Sequence, residues 1–118
     1  MQERRKFPRV TYPCKITVSI EEDREEFTLH TENISSGGAR VIMQKQFKIN
    51  TPVGIEIVIG ERSIETKGRI VWVLEFSSPD KTQPCLFDTG IEFTHLNVDD
   101  REFLSKLIGQ LLEQYEAA

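Results

Sequence analysis

The sequence predicts an all-β domain with one C-terminal α-helix, built as a six-stranded antiparallel β-barrel. Three observations carry this. Apolar and polar residues alternate through six separate stretches between Cys14 and Phe93. Short turn-forming runs join those stretches, with no helical period between them. The period lengthens to steps of three and four only after Asn97. Strands joined by short turns pair with their sequence neighbours, and closing the sheet removes its exposed edges. At 118 residues the chain is one domain, able to bury a core without disulfides or metals.

The first strand sets Cys14, Ile16, Val18 and Ile20 against Lys15, Thr17 and Ser19, which leaves one face wet. Glu21 to Arg24 is a polar turn. Glu25 to Thr31 then returns with Phe27 and Leu29 inward, completing a hairpin. Glu32 to Gly38 is rich in residues that hydrogen-bond their own backbone or tolerate positive φ. Ala39 to Met43 is a short strand, followed by a polar loop to Asn50. Pro52 opens the next strand, with Val53, Ile55, Ile57 and Ile59 on one face. Gly60-Glu61 turns the chain, and Ser63 to Leu74 reads as one long strand with Gly68 as a bulge or bend. Residues 75–84 are the most loop-like and are expected to form a mobile insertion. Cys85 to Phe93 is the last strand.

Asn97 caps the helix, and Asp99, Asp100 and Glu102 place negative charge in its first turn, where the helix dipole favours it. Phe103, Leu104, Leu107, Ile108, Leu111, Leu112 and Tyr115 share one face, which packs on the barrel as a lid. The chain thus divides into a flexible basic arm at 1–12, a barrel at 13–94 and a helix at 97–115.

Composition narrows the function. Charged content of 29% and hydrophobic content of 38% describe an ordinary globular protein. No apolar run approaches the roughly 20 residues of a membrane span, and no apolar stretch follows the basic start to make a secretory signal. Cys14 and Cys85 have neither metal spacing nor the density of a secreted scaffold, so a cytoplasmic protein with two reduced thiols is expected, each a small buried hydrophobe. His30 and His95 are isolated, Ser35 and Ser36 lack a nucleophile elbow, and Gly37-Gly38 is too short for a phosphate loop. The chain is therefore read as a non-enzyme, with no catalytic residue, metal site or cofactor.

The positive charge is concentrated. Residues 1–9, MQERRKFPR, carry +3 against a chain total of −4, which leaves −7 on residues 10–118. A cationic arm on an acidic body points to an anionic partner. Arg5 and Arg9 stand at an R-x-x-x-R spacing, stiffened by Pro8, and guanidinium groups make planar, bidentate contacts to phosphate or a guanine edge. The turn Asn33-x-Ser35-x-x-Gly38 adds complementary chemistry. Its Asn carbonyl accepts from a base edge or a guanidinium, and its Ser hydroxyl donates to phosphate or locks the turn. Gly38 allows close backbone approach or positive φ, and successive turn N–H groups can form an anion nest.

In this order, around a hairpin and ahead of a barrel and helix, the two motifs resemble the PilZ domain, a bacterial receptor for cyclic di-GMP. Gly68-Arg69-Ile70-Val71-Trp72-Val73 and Gly90-Ile91-Glu92-Phe93 also resemble the family. The resemblance runs from Arg4 to about Leu112 and implies a six-stranded barrel with a C-terminal helix. It further implies that Arg5 and Arg9 hold the phosphates and guanine of cyclic di-GMP, that Asn33, Ser35 and Gly38 complete the pocket, and that Arg4 adds a contact. Trp72 stands where members can touch a base, and a place in the core is its other reading. Arg40, just past the turn, neighbours this set without being counted in it.

The function expected is that of a bacterial second-messenger receptor, relaying cyclic di-GMP binding by conformational change to an unidentified protein effector. The alternative is a PilZ-like adaptor that acts only through protein contacts without ligand. Nucleic-acid polymer is not an expected partner, because basic and aromatic residues are not interleaved along a strand face. Either a monomer or a homodimer fits the helix stripe.

Overall fold

The computed structural model describes residues 9–22, 24–76 and 85–117. Among the described residues seven strands, β1 (Lys15–Ile20), β2 (Glu25–His30), β3 (Asn33–Ile34), β4 (Gly38–Met43), β5 (Pro52–Ile59), β6 (Arg62–Phe76) and β7 (Leu86–Phe93), precede the helix α1 (Val98–Ala117). They form one antiparallel sheet in the order β2-β1-β5-β6-β7-β4-β3. The sheet curls into an open barrel of the expected kind. The seventh strand is the two-residue β3, which pairs Asn33 with Arg40 and Ile34 with Ala39.

Period-two alternation decides what lies inside. Ile16, Val18, Val41, Ile57, Ile64 and Ile70 are fully buried, and Met43, Val53, Ile55, Ile91 and Phe93 complete the core with them. Each fully buried aliphatic side chain contributes about 1.5–3 kcal/mol relative to its exposed state. In β2 the same alternation leaves Phe27 and Leu29 only half-buried, because β2 ends the sheet.

Several expectations are corrected. Gly68 is in regular register, opposite Val53 on one side and Phe93 on the other. It is glycine because a Cβ there would strike the Glu92 carbonyl oxygen and the Ile55 side chain. The irregularity lies between Ile70 and Trp72, where Val71 is the extra residue. The long strand also continues through Glu75 and Phe76; the rest of the expected loop, 77–84, lies outside the described residues. Cys14 is buried as expected, but Cys85 is exposed.

The helix begins as its sequence requires. The Asp100 N–H donates to Asn97 Oδ1 at 2.8 Å, the N-cap bond. Leu104 and Ile108 are buried and Phe103, Leu107, Leu111 and Leu112 pack around them, while Tyr115 falls where side chains are not described. Asp100 accepts from Arg62 Nη2 at 2.9 Å, and the Arg62 guanidinium lies 4.5 Å from the Phe103 ring centroid. The start of α1 is thereby fastened to the β5–β6 turn. No helix among the described residues is long and apolar enough to cross a membrane.

Candidate ligand-binding site

The arm enters the described residues at Arg9 and is tied down one residue later. Val10 and Ile34 exchange backbone hydrogen bonds, N–H to O, at 3.1 and 3.0 Å. This bridge sets Arg9 beside Asn33, and Arg9 Nη1 donates to Asn33 Oδ1 at 3.1 Å across 24 residues of sequence. The second arginine of R-x-x-x-R therefore touches the first residue of N-x-S-x-x-G. Arg4 and Arg5 lie outside the described residues.

Ser35 is buried and works inside the turn. Its Oγ accepts from the Gly37 N–H at 3.0 Å and the Gly38 N–H at 3.1 Å, and donates to the Gly38 carbonyl at 3.3 Å. The Ser35 N–H also donates to that carbonyl at 2.9 Å. Of the two roles open to Ser35, locking the turn is thus the one its contacts fill. The two N–H groups that would line an anion nest are spent on the same oxygen. Gly38 does not adopt positive φ, as only Gly60 among the described glycines does. Its need for glycine comes from β7: a Cβ at Gly38 would overlap the Ile91 carbonyl oxygen. The close approach read from sequence is an approach to the chain's own backbone.

Strand register carries the site across the sheet. Asn33 pairs with Arg40, Arg40 with Gly90, and Gly90 with Trp72. Their inward neighbours Ile34, Ala39, Val41, Thr89 and Ile91 are buried, so these four positions form one row on the outer face. At a strand spacing of about 4.8 Å, the row spans about 14 Å from Asn33 to Trp72. Trp72 is half-buried, and its indole lies over Gly90, in the space a Cβ there would need. It is therefore on the outer face and not in the core. Strict alternation from Ile64 through Ile70 would have turned it inward; the bulge at Val71 turns it out.

Arg40 is the residue that sequence left aside. Its Nε donates to Asp88 Oδ1 at 2.6 Å, which holds the guanidinium more firmly protonated than usual. The hydrogen bond is the largest cause; partial burial opposes it, and the charges of Asp88 and Glu32 add to it. That bond uses Nε and leaves the two terminal nitrogens out of it, in the middle of the row. Sequence carries no signal for it beyond nearness to the turn, because Arg40 falls opposite Asn33 only through the pairing of β3 with β4. Nearby, Arg69 and Glu92 pair at 3.3 Å on the same face.

Elsewhere the described residues offer little chemistry. His30 is exposed, and His95 Nδ1 lies 2.8 Å from the neighbouring Thr94 Oγ1. No group of three or more His, Cys, Asp or Glu among the described residues could hold a metal ion. Cys14 Sγ is 3.4 Å from Thr31 Oγ1; burial pushes the thiol pKa up, and this contact offsets part of the rise.

Comparisons with known proteins agree with this architecture. Bacillus subtilis MotI/DgrA, an inhibitor of motility, is 21% identical with a TM-score of 0.77, over 96% of this chain and 53% of its own. The PilZ domain of Escherichia coli YcgR, solved with c-di-GMP, is 13% identical with a TM-score of 0.71, over 98% of this chain and 96% of its own. The K. pneumonia MrkH–c-di-GMP complex is 14% identical with a TM-score of 0.77, over 98% of this chain and 54% of its own. The chain thus spans about half the length of MotI and MrkH. A search among curated protein sequences found no match. The PilZ domain model matches residues 3–110, nearly the whole of the barrel, the arm and the helix, and the chain belongs to the PilZ domain family.

Proposed function

We propose that this domain is a receptor for cyclic di-GMP, and that Arg4, Arg5, Arg9, Asn33 and Trp72 form its binding surface on the rigid base made by Ser35 and Gly38. The observation that carries the reading is the Arg9–Asn33 hydrogen bond, which joins the two sequence motifs at one end of an outward row ending in an aromatic ring. The ligand is a dianion with two flat guanines. Guanidinium groups answer both features, with paired N–H donors for phosphate and a planar face for a base. Trp72 supplies an aromatic face about three strands away. The c-di-GMP complexes of YcgR and MrkH support the same ligand class.

Ordering the arm over a bound dianion would convert ligand concentration into a change of surface, which a protein effector reads. Binding does not require chemistry on the ligand. Isothermal titration with cyclic di-GMP should give a dissociation constant of about micromolar or tighter. Arg9→Ala, which removes the contact to Asn33 and one guanidinium, should weaken it at least about tenfold. A folded domain that takes up no ligand would refute the proposal.

A further inference from the structure

One edge of β6 is covered for only part of its length. β5 pairs with it from Arg62 to Arg69. The turn at Lys48–Thr51 adds two bonds, from the Asn50 N–H to the Ile70 carbonyl and from the Ile70 N–H to the Thr51 carbonyl. Beyond Ile70 no strand among the described residues is paired along that edge, while β7 holds the other edge as far as Phe76. Ile70 is buried and Val73 packs against the core, so both face inward. Residues of L-chirality on one face of a strand turn their N–H and C=O groups to the same edge. Val73, and Glu75 two residues on, therefore direct theirs to the uncovered edge.

That edge is poorly guarded. Edge strands are ordinarily protected by charge, proline or a bulge. Residues 70–76, IVWVLEF, hold one charge, Glu75, and no proline, and the bulge at Val71 precedes the open stretch. Leu74 is 63% exposed and Phe76 46%, and both follow Trp72 on the outer face. Ile49, 58% exposed, stands in the turn where the covered part of the edge ends. Apolar side chains and unpaired main-chain groups thus meet along one short segment.

We infer that this edge pairs with the same edge of a second copy of the chain, antiparallel about a two-fold axis at Leu74. The register is self-complementary. Leu74 meets its own counterpart, Trp72 meets Phe76 on each side of the axis, and Glu75 falls opposite Val73, so no like charges are opposed. Val73 and Glu75 then satisfy each other's main-chain groups across the axis. A foreign strand would find the same main-chain groups, but the side-chain pairing about Leu74 is particular to a second copy. The contact is isologous and closes at two chains. Pairing residues 71–76 in this way buries on the order of 1,000 Å² in total, the lower limit of a specific interface, and gives a weak dimer with a dissociation constant of about 10–100 μM. The edge adjoins the arginine row only at Trp72, so the inference stands whether or not cyclic di-GMP is the ligand.

The test uses the whole domain. Sedimentation between about 5 and 500 μM should show a monomer–dimer equilibrium. Glu75→Pro removes a main-chain donor from the open edge alone, and Leu74→Ser removes the apolar centre of the contact. Each should weaken dimerisation at least about tenfold without lowering the melting temperature. Cross-linking in a Cys85→Ser background tests the register. The thiols of L74C, directly opposed across the axis with Cα atoms about 4.5–5.5 Å apart, should form an intermolecular disulfide under mild oxidation. Those of E75C, each facing Val73, should do so at least about tenfold more slowly. A monomer throughout the concentration range, a dimer that Leu74→Ser leaves unchanged, or equal cross-linking at the two positions would overturn the inference.

Discussion

Gly38 shows how a motif residue can be fixed by packing. Its Cα faces the Ile91 carbonyl so closely that even a methyl group would push β4 away from β7. Overpacking against backbone, which cannot swing aside, costs about 1–3 kcal/mol. Gly38→Ala should therefore destabilise the ligand-free protein by that amount, seen as a lower denaturation midpoint at an unchanged m-value. At Gly90 the three atoms nearest an added Cβ all belong to the indole of Trp72, a side chain that can move, so Gly90→Ala should chiefly alter tryptophan fluorescence. Cys14 and Cys85 make a second contrast. One equivalent of thiol, Cys85, should react rapidly with a disulfide reagent at pH 8, and Cys14 only on unfolding. Burial raises the folded pKa of Cys14, so its contribution is intact at low pH. As pH rises past about 8.5 the unfolded thiol ionises first, and stability falls toward the folded pKa. Cys14→Ala should flatten that part of the pH–stability curve.

Among the elements, those with strict alternation were legible. Ile16, Val18 and Ile20 of β1 and Val53 to Ile59 of β5 lie buried where their period places them. So does the N-cap at Asn97, because capping is a local bond. The turn at Ser35 was legible as a turn. Its direction was not, since whether an oxygen faces phosphate or its own N–H groups depends on the sheet behind it. β3 escaped notice because two residues carry no period, and Asn33–Ile34 form a strand only by pairing with Arg40 and Ala39. Cys85 read as buried because it begins an apolar run, yet burial starts two residues later, at Phe87. Helix attachment was a matter of long-range contact, and Arg62 is its central residue. It bonds Asp100, covers Phe103, and has a buried Nε–H without a partner. Arg62→Ala should cost about 1–2 kcal/mol, half-exposed as the ion pair is, from lost attraction and cation–π contact. The urea midpoint should drop and the m-value stay constant.

For the whole molecule, charge distribution matters more than any contact. The basic residues are concentrated in the first nine, whereas on the outer face Arg40 and Arg69 are already matched by Asp88 and Glu92. A dianionic ligand would be drawn chiefly by the +3 of residues 1–9, within a body of −7. Its affinity should weaken several-fold between about 50 and 500 mM salt, because exposed charges are screened over about 10 Å at 0.1 M. Calorimetry across that range checks it, and an affinity indifferent to salt would point to stacking on Trp72 as the main source of binding.

Val71 makes β6 tolerant of losing one codon. It is the surplus residue in the pairing of β6 with β7, so an in-frame deletion of its codon should heal the ladder rather than break it, leaving Trp72 opposite Gly90. Deletion of the Val73 codon can be absorbed by the same bulge only by moving Trp72 opposite Thr89, which drives the indole into the inward place of the smaller Val73. Two lesions of equal size, two codons apart, should therefore separate in soluble yield, the first giving folded protein and the second not.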